Sequence, residues 1–426
     1  MLVLWMFLAL LLMICINVPI AVALAVSAII GLVATEGVNS LVTVALDMYD
    51  GSTKFSLIAI PMFVLAGAIM NAAGITDRLI NFIGALIGFV RGGLAMVNIG
   101  VSLFFAEISG SAVADVAAMG SIMIPQMKKR GYSAPFAAAV TSSSASLAII
   151  IPPSIPMILY AVSANTSVEQ LFVAGLIPGL MGAAGLMFVA YLFARRYDLP
   201  VESAFDTKRL KETFIEALPT FALPVIILGG IFGGLVTATE AAGLAVLAAL
   251  AIGLWYRELD LRHLKRAMLD GGMQTAVVML LVAASVLMGG FLTRAQIPQD
   301  LAAAMLAFTS NKYVILMILN VFFLVIGFFL HSAAAIILVV PIVVPLIQQV
   351  GIDPVHFGLV VTLNLAIGQQ TPPVASVLIT SCSIARANIW DVSKVNIYFV
   401  AVLLTVLLMC TDRPAIPMFL VEQFSR

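Results

Sequence analysis

Long apolar stretches follow one another along this chain, with short polar loops between them. Residues 2–34, 220–236 and 395–410 are the clearest examples. About 20 apolar residues cross a bilayer as a helix, whereas a membrane barrel shows short segments of alternating polarity. Because the backbone must hydrogen-bond to itself inside lipid, the pattern predicts an all-α polytopic membrane protein. No basic residue precedes the first stretch, so we expect a retained helix there and not a cleaved signal peptide.

The chain contains the same unit twice. The pair Pro152–Pro153 recurs 220 residues later as Pro372–Pro373. In a membrane protein, a repeat with prolines that interrupt corresponding helices indicates a substrate site between the halves. We predict two inverted repeats, each with about five crossings and one re-entrant helical hairpin. The predicted division is repeat one at 1–194, a cytoplasmic linker at 195–217 and repeat two at 218–426.

The composition agrees with a membrane protein. Apolar residues make up 62% of the chain and charged residues 10%, whereas soluble domains carry about 25% charged residues. The net charge is zero, and no basic surface indicates nucleic-acid binding. The three cysteines lie in apolar segments without the spacing of metal ligands, so we interpret them as core residues: Cys15, Cys382 and Cys410.

Basic residues indicate which loops face the cytoplasm. Residues 195–211 hold five Lys or Arg and residues 257–266 hold four, and two apolar segments between them return the chain to the same side. The basic turn at 128–131 has an uncharged copy at 348–351, which indicates that repeat two is inverted. Both termini are then expected in the periplasm. The predicted order in repeat one is crossings at 3–16, 18–35, 55–73, 133–163 and 171–194, amphipathic arms at 36–54 and 77–91, and a hairpin at 93–127.

A hairpin in each repeat departs from a plain spanning helix. The hairpins are predicted at 93–127 and 313–350. Each arm of roughly 15 residues gives about 22 Å of helix, which is short of the roughly 30 Å hydrocarbon core. We therefore expect the tips, at 107–111 and 330–332, to lie inside the membrane.

A helix broken at its middle is the second feature of each repeat, predicted at 133–163 and 354–385. The paired prolines remove amide donors and clash with the preceding turn, which frees carbonyl groups. Free carbonyls at membrane depth must be buried in protein or line a cavity. Carbonyl oxygens at half-helix ends suit Na⁺, and the amides that start the next half-helix suit a carboxylate. The polar residues interpreted as substrate-binding candidates at these breaks are Ser144, Ser154, Asn364 and Gln370.

Several titratable residues have separate interpretations. Glu240 closes a capping box with Thr237 at a tight turn. We interpret Asp115 either as a residue that complements a helix N-terminus or as a residue that serves an ion. Glu107 is interpreted as a candidate functional residue, because a carboxylate inside a membrane is costly. His331 is interpreted as a hydrogen-bonding residue at a hairpin tip. The other two histidines are expected at the surface: His263 and His356.

Four motifs are distributed over the chain: IPMFVLAG at 60–67, SGSAVAD at 109–115, IPPSIP at 151–156 and TATEAA at 237–242. Together they resemble the large membrane subunit of tripartite ATP-independent periplasmic (TRAP) transporters, and the resemblance covers essentially the whole chain. It implies import of an organic acid anion, such as a C4-dicarboxylate or sialic acid, by Na⁺ symport across the bacterial inner membrane. It implies an elevator movement of a transport domain against a scaffold. It also implies two partners, a small four-helix membrane subunit and a periplasmic substrate-binding protein, and no organic cofactor.

The resemblance also implies two Na⁺ sites. The first combines a hairpin tip with carbonyls at the first break: Ser109, Gly110, Ser111, Ala148, Ile151 and Pro152. The second uses the other tip and break: Ser332, Gly368, Thr371 and Pro372. The family usually has glycine at the position of Ala148, and its image in repeat two is Gly368.

Two other functions are compatible with the sequence. A standalone Na⁺/dicarboxylate-type symporter would share the inverted repeat and transport without a binding protein. An intramembrane enzyme would need Glu107, Asp115 and His331 to converge, and no motif supports this reading. No G-x-x-x-x-G-K-[ST] loop is present, which argues against an ATP-driven pump. We therefore expect a transporter and not an enzyme.

Overall fold

The computed structural model describes residues 6, 8–10, 12–13, 16, 18–202 and 204–424, with the backbone alone at 107–109. Nine helices of this part of the chain are long and apolar enough to cross a membrane. The all-helical, polytopic architecture predicted from the sequence is confirmed. The predicted crossing at 3–16 lies largely outside the described residues, as does Cys15.

Between residues 18 and 202, ten helices precede or enter the predicted linker. They are α1 (Ile20–Glu36), α2 (Leu41–Ser52), α3 (Ala59–Ala72), α4 (Ile75–Ile87), α5 (Gly93–Ser109), α6 (Ala112–Lys129), α7 (Ala134–Ala145), α8 (Leu147–Ile150), α9 (Ile155–Ala164) and α10 (Val168–Arg196). Helices α5 and α6 form the first hairpin, and α7, α8 and α9 form the first broken helix.

Ten helices follow. They are α11 (Thr207–Phe232, with irregular turns in its second half), α12 (Ala238–Trp255), α13 (Leu261–Arg294), α14 (Ile297–Phe308), α15 (Lys312–Phe329), α16 (Ser332–Gln349), α17 (Pro354–Gly368), α18 (Ser376–Ala385), α19 (Ile389–Asp412) and α20 (Ala415–Phe424). The order α4 to α10 recurs as α14 to α19, with α17 at the place of both α7 and α8. One difference is that α13 is continuous over the stretch that repeat one divides into α2 and α3.

Short polar caps fix where several helices begin. Thr237 and Glu240 form the predicted capping box at the start of α12. Asp260 accepts a hydrogen bond from the His263 amide at the start of α13, and Asp353 accepts from two amides of α17. Each cap satisfies amides that have no partner in the first helical turn.

The two halves of the chain pack against each other through exchanged helices. Helix α12 packs against α3, and α1 packs against α13. Arg78 donates to Glu258 at 2.6 Å, while Arg294 donates to Glu36 at 3.4 Å and to Asp47 at 2.8 Å. In both places a carboxylate near the end of α1 or α12 meets an arginine of the other half.

The broken helices occupy the centre of the molecule. In α17 every residue from 355 to 368 is buried, including His356, whose Nε2 lies 2.8 Å from the carbonyl oxygen of Cys410. The prediction of a surface position for His356 is therefore wrong, because α17 is enclosed on all sides. His263 is exposed, as expected, and the described cysteines Cys382 and Cys410 are buried.

Candidate functional site

The first break is held closed by its own residues. Residues 151–154 are all buried between α8 and α9. The Ser154 hydroxyl donates to the carbonyl of Ile149 at 2.8 Å and accepts from the Met157 amide at 3.4 Å. One side chain thus spans the interruption and caps the helix that follows it.

The first hairpin tip lies directly against this break. Gly110 turns the chain with φ of 58°, in the left-handed region that favours glycine. A Cβ at this position would lie 3.0 Å from the carbonyl oxygen of Pro153 and 3.1 Å from the amide nitrogen of Ile155. The absence of a side chain therefore lets the tip approach the backbone of the broken segment.

The second break is held by its neighbours. The Ala375 amide donates to the carbonyl of Phe328 at the end of α15, at 3.4 Å. Asn396 of α19 donates its Nδ2 to the carbonyl of Gln370 at 2.9 Å. Just before this break, Gly368 packs on Gly327 of α15, where a Cβ on Gly368 would lie 2.5 Å from the Gly327 Cα.

Buried polar side chains tie each hairpin to its broken helix. In repeat one, Asn98 donates to Thr141 at 2.7 Å and Ser102 donates to Ser144 at 2.9 Å. Repeat two uses a different set, in which Asn364 donates to Asn320 at 2.7 Å and Asn320 donates to Thr411 at 3.1 Å. These bonds satisfy polar groups that would be costly to bury alone.

Asn396 connects the two repeats. It accepts from the Ser143 hydroxyl of the first broken helix at 2.7 Å while donating to the Gln370 carbonyl of the second break. Asn396 is 2% exposed, so both bonds lie away from solvent. The sequence reasoning missed this residue, because a single asparagine in an apolar helix gives no signal of what it contacts.

Both tips and both breaks meet at one cavity of about 740 Å³. Repeat one contributes the start of α6 and Ile149, and repeat two contributes the start of α16 and Gln369. The opposite wall is formed mainly by α13. The polar side chains among the described lining residues are Ser111, Gln274, His331, Ser332 and Gln369.

The residues proposed to bind Na⁺ divide between the cavity wall and the protein behind it. Gly110, Ser111 and Ser332 line the cavity. Buried at the breaks are Ala148, Ile151, Pro152 and Gly368. Thr371 and Pro372 are partly exposed, and the Thr371 hydroxyl donates to the carbonyl of Ile367. The side chain of Ser109 lies outside the described residues, and so does that of Glu107. The assignment of these residues to Na⁺ stays a prediction.

The four residues proposed to bind substrate lie behind the wall. Ser144, Ser154, Asn364 and Gln370 are fully buried. The first three make the hydrogen bonds described above, and the carbonyl of Gln370 is bonded to Asn396. Gln369 and Gln274 reach the wall instead. Gln369 directly precedes Gln370 in the sequence. An interrupted helix has no regular period that tells which of these two adjacent glutamines faces the cavity.

Two of the titratable residues singled out in the sequence lie at the starts of the second hairpin arms. Asp115 is buried in the first turn of α6, and His331 accepts a hydrogen bond from the Ala333 amide at 3.4 Å, which fits its interpretation as a hydrogen-bonding residue. Among the described residues, no group of three His, Cys, Asp or Glu could hold a metal ion.

Comparison with known proteins connects this architecture to a family. The family model described as tripartite ATP-independent periplasmic transporter, DctM component, matches residues 7–416. The C4-dicarboxylate TRAP transporter large permease protein DctM of Pseudomonas aeruginosa is 35% identical, over 90% of each chain. The sialic acid TRAP transporter large permease protein SiaM of Vibrio cholerae is 41% identical, over 78% of each chain.

Two further proteins differ in length or in sequence. The isethionate TRAP transporter permease protein DctMQ of Oleidesulfovibrio alaskensis is 39% identical over 95% of this chain, which spans 64% of that longer protein. Among solved structures, the YdaH transporter of Alcanivorax borkumensis superimposes with a TM-score of 0.63 over 89% of each chain, at 13% identity. At that identity the likeness concerns the fold alone.

Proposed function

Because this chain belongs to the family of the DctM component of tripartite ATP-independent periplasmic transporters, a multi-pass protein of the bacterial inner membrane, we propose that it imports an organic acid anion by Na⁺ symport. Large permeases of this family work with a small permease and a periplasmic binding protein. The observation that carries the proposal is the single cavity at which two hairpin tips and two broken helices meet.

Na⁺ coupling is supported by the oxygen-rich backbone behind the tips. The first ion would be held by Ser109 to Ser111 with carbonyls between Ala148 and Pro152, and the second by Ser332 with carbonyls between Gly368 and Pro372. Na⁺, as a co-transported ion, needs oxygen ligands, and a carbonyl that already accepts one hydrogen bond keeps a second lone pair. Each net positive charge carried inward gains about 2.3 kcal/mol per 100 mV.

An elevator movement is supported by the apolar contact between the hairpins and α13. Among the described residues, α13 makes no side-chain hydrogen bond to α6 or α16. The ion pairs of Arg78 and Arg294 instead join helices of the proposed scaffold to one another. Sliding along α13 therefore breaks no side-chain hydrogen bond between α13 and α6 or α16, while the scaffold stays joined.

The test is uptake into proteoliposomes that contain this chain, the small permease and the binding protein. We expect accumulation of the anion only with an inward Na⁺ gradient and only with the binding protein present. Vesicles with K⁺ in place of Na⁺ are the control. Uptake by this chain alone would contradict the tripartite arrangement and favour a standalone symporter. Uptake that ignores the Na⁺ gradient would overturn the coupling.

A further inference from the structure

Most polar side chains of the cavity wall lie at one end. The polar end comprises the two hairpin tips and Gln369, and α13 forms the apolar side with Met273, Val277 and Leu281. None of the described lining residues is Lys, Arg, Asp or Glu. Any charge on a bound substrate must therefore be stabilised at the polar end.

Gln369 points to a ligand oxygen at that end. Its side chain is 1% exposed, and its Nε2 has no hydrogen-bond partner among the described residues. Its Oε1 accepts from the Ser376 hydroxyl at 3.5 Å, which orients the amide. A buried donor without a partner is costly, so a substrate oxygen that accepts from Nε2 would be favoured.

The two helix N-termini at the cavity are capped differently. Helices α6 and α16 each have 18 residues, and both begin at the wall. His331 caps α16 through the Ala333 amide, whereas the side chain of Ser111 makes no capping bond to α6. Asp115 complements α6 from a position that does not line the cavity. The N-terminal amides of α6 and Gln369 together suit one anionic group.

The rest of the wall offers little to a second polar group. Val277 is 62% exposed and faces the cavity with Met273 and Leu281, and Gln274 is the one polar residue of α13 there. Against this side the second carboxylate of a dicarboxylate, or the hydroxyls of a sugar acid, would lose water and gain at most one side-chain partner, Gln274. An aliphatic or aromatic group would instead be stabilised by burial.

We propose that the substrate of this cavity is an organic monocarboxylate with an apolar body. Its carboxylate accepts from the start of α6 and from Gln369, and its body packs against Met273, Val277 and Leu281. This inference rests on the proposed function, since it assigns the substrate class of the same site. The volume of about 740 Å³ admits a compound the size of a branched-chain or aromatic 2-oxo acid.

The test is ligand-dependent thermal unfolding of the purified permease complex in NaCl, without the binding protein. The probes are 4-methyl-2-oxopentanoate, succinate, N-acetylneuraminate and the uncharged 4-methylpentan-2-one. We expect saturable stabilisation by the branched 2-oxo acid, with at least tenfold weaker apparent affinity for the other three. Tighter binding of succinate or N-acetylneuraminate would overturn the substrate class and leave Na⁺-coupled import standing. Stabilisation by none of the anions would overturn the site, whatever the uptake assay shows.

Variants locate the binding in this cavity. Gln369→Leu should weaken binding of the 2-oxo acid about tenfold. Val277→Asn should reduce the ratio between the affinity for the 2-oxo acid and the affinity for succinate. Leu261→Asn makes the same kind of change at an 81% exposed position of α13 outside the cavity, and should change neither affinity. Unchanged binding in both cavity variants would refute the assignment. If a variant does not fold, the ligand series on the unaltered protein still decides.

Discussion

The two breaks follow the same backbone plan but are held in different ways. The first break is buried throughout, and Ser154 ties its two ends together. At the matching position the second break has Val374, which is 42% exposed and offers no hydroxyl. Its carbonyl at Gln370 is bonded to Asn396 on another helix. The first break is therefore a self-contained unit, whereas the second combines a bond of its own, from the Val377 amide to the Gln369 carbonyl, with bonds to the helices around it.

The same contrast appears at the cavity. Ile149 of the first break and Gln369 of the second occupy equivalent positions, 220 residues apart, and both line the wall. Ile149 presents an apolar side chain to the cavity, whereas Gln369 presents an amide. An inverted repeat can thus present two unlike surfaces to one ligand while keeping the backbone symmetric, because side chains change without moving the helices.

The largest expected effect comes from the crossing of Gly327 and Gly368. Gly368→Ala would place a Cβ within 2.6 Å of backbone atoms that cannot rotate away. We expect a loss of at least about 1–3 kcal/mol, seen as a lower unfolding temperature and loss of uptake. The repeat-one counterpart Ala148→Gly should cost no more than about 1 kcal/mol, as for glycine within a helix. Gly243→Ala, with open space around it, is the control, and a stable Gly368→Ala protein would contradict the tight crossing.

Asn396 tests whether the two breaks are coupled. Asn396→Ala leaves the Ser143 hydroxyl and the Gln370 carbonyl without their partner, which should cost about 1–3 kcal/mol. Asn396→Asp keeps the acceptor for Ser143 but removes the donor to the second break. If the second break holds Na⁺, both variants should raise the Na⁺ concentration needed for half-maximal uptake. An aspartate variant with unaltered Na⁺ dependence would show that the bond to Gln370 does not matter.

The two hairpin tips should respond differently to alanine. Gly110→Ala forces a left-handed conformation on a residue with a side chain, at about 1–2 kcal/mol, and crowds the carbonyl of Pro153. Leu330 is extended, so Leu330→Ala adds no backbone strain and loses only side-chain contacts. Uptake and unfolding temperature of the two variants, side by side, measure the difference. Equal behaviour would indicate that the Gly110 turn is not required.

The smallest effects are expected at the ion pairs of the scaffold. The hydrogen bond from Arg78 holds the pKa of the Glu258 carboxyl below its ordinary value. This stabilisation is present above the unfolded pKa of about 4.3 and is lost as the pH falls through the folded pKa. Because Glu258 is 44% exposed, Glu258→Gln should cost less than about 1 kcal/mol at pH 7 and nothing at a pH well below 4. Arg294→Gln should lower the free energy of unfolding by more than Glu258→Gln, since Arg294 pairs with two carboxylates. Unfolding curves at several pH values compare the two variants.

Local signals in the sequence predicted most of the helices and both breaks. Paired prolines, the capping box of Glu240 and the length of apolar stretches each act within a few residues, so they can be read without tertiary structure. Burial of His356 could not be read, because it follows from the enclosure of all of α17. The orientation of Gln369 and the role of Asn396 depend on contacts with distant helices. The spacing of apolar and polar residues in a single sequence does not reveal such contacts.

The exchanged ion pairs have a consequence for how the protein is made. Glu36 is synthesised before its ion-pair partner Arg294, which lies 258 residues further along the chain. At about 5–20 residues per second, synthesis takes on the order of tens of seconds to supply that partner. During this interval α1 is in the membrane without the helix that later covers it. The scaffold is therefore completed late, when α13 has been inserted, and the first half of the chain must persist in lipid until then.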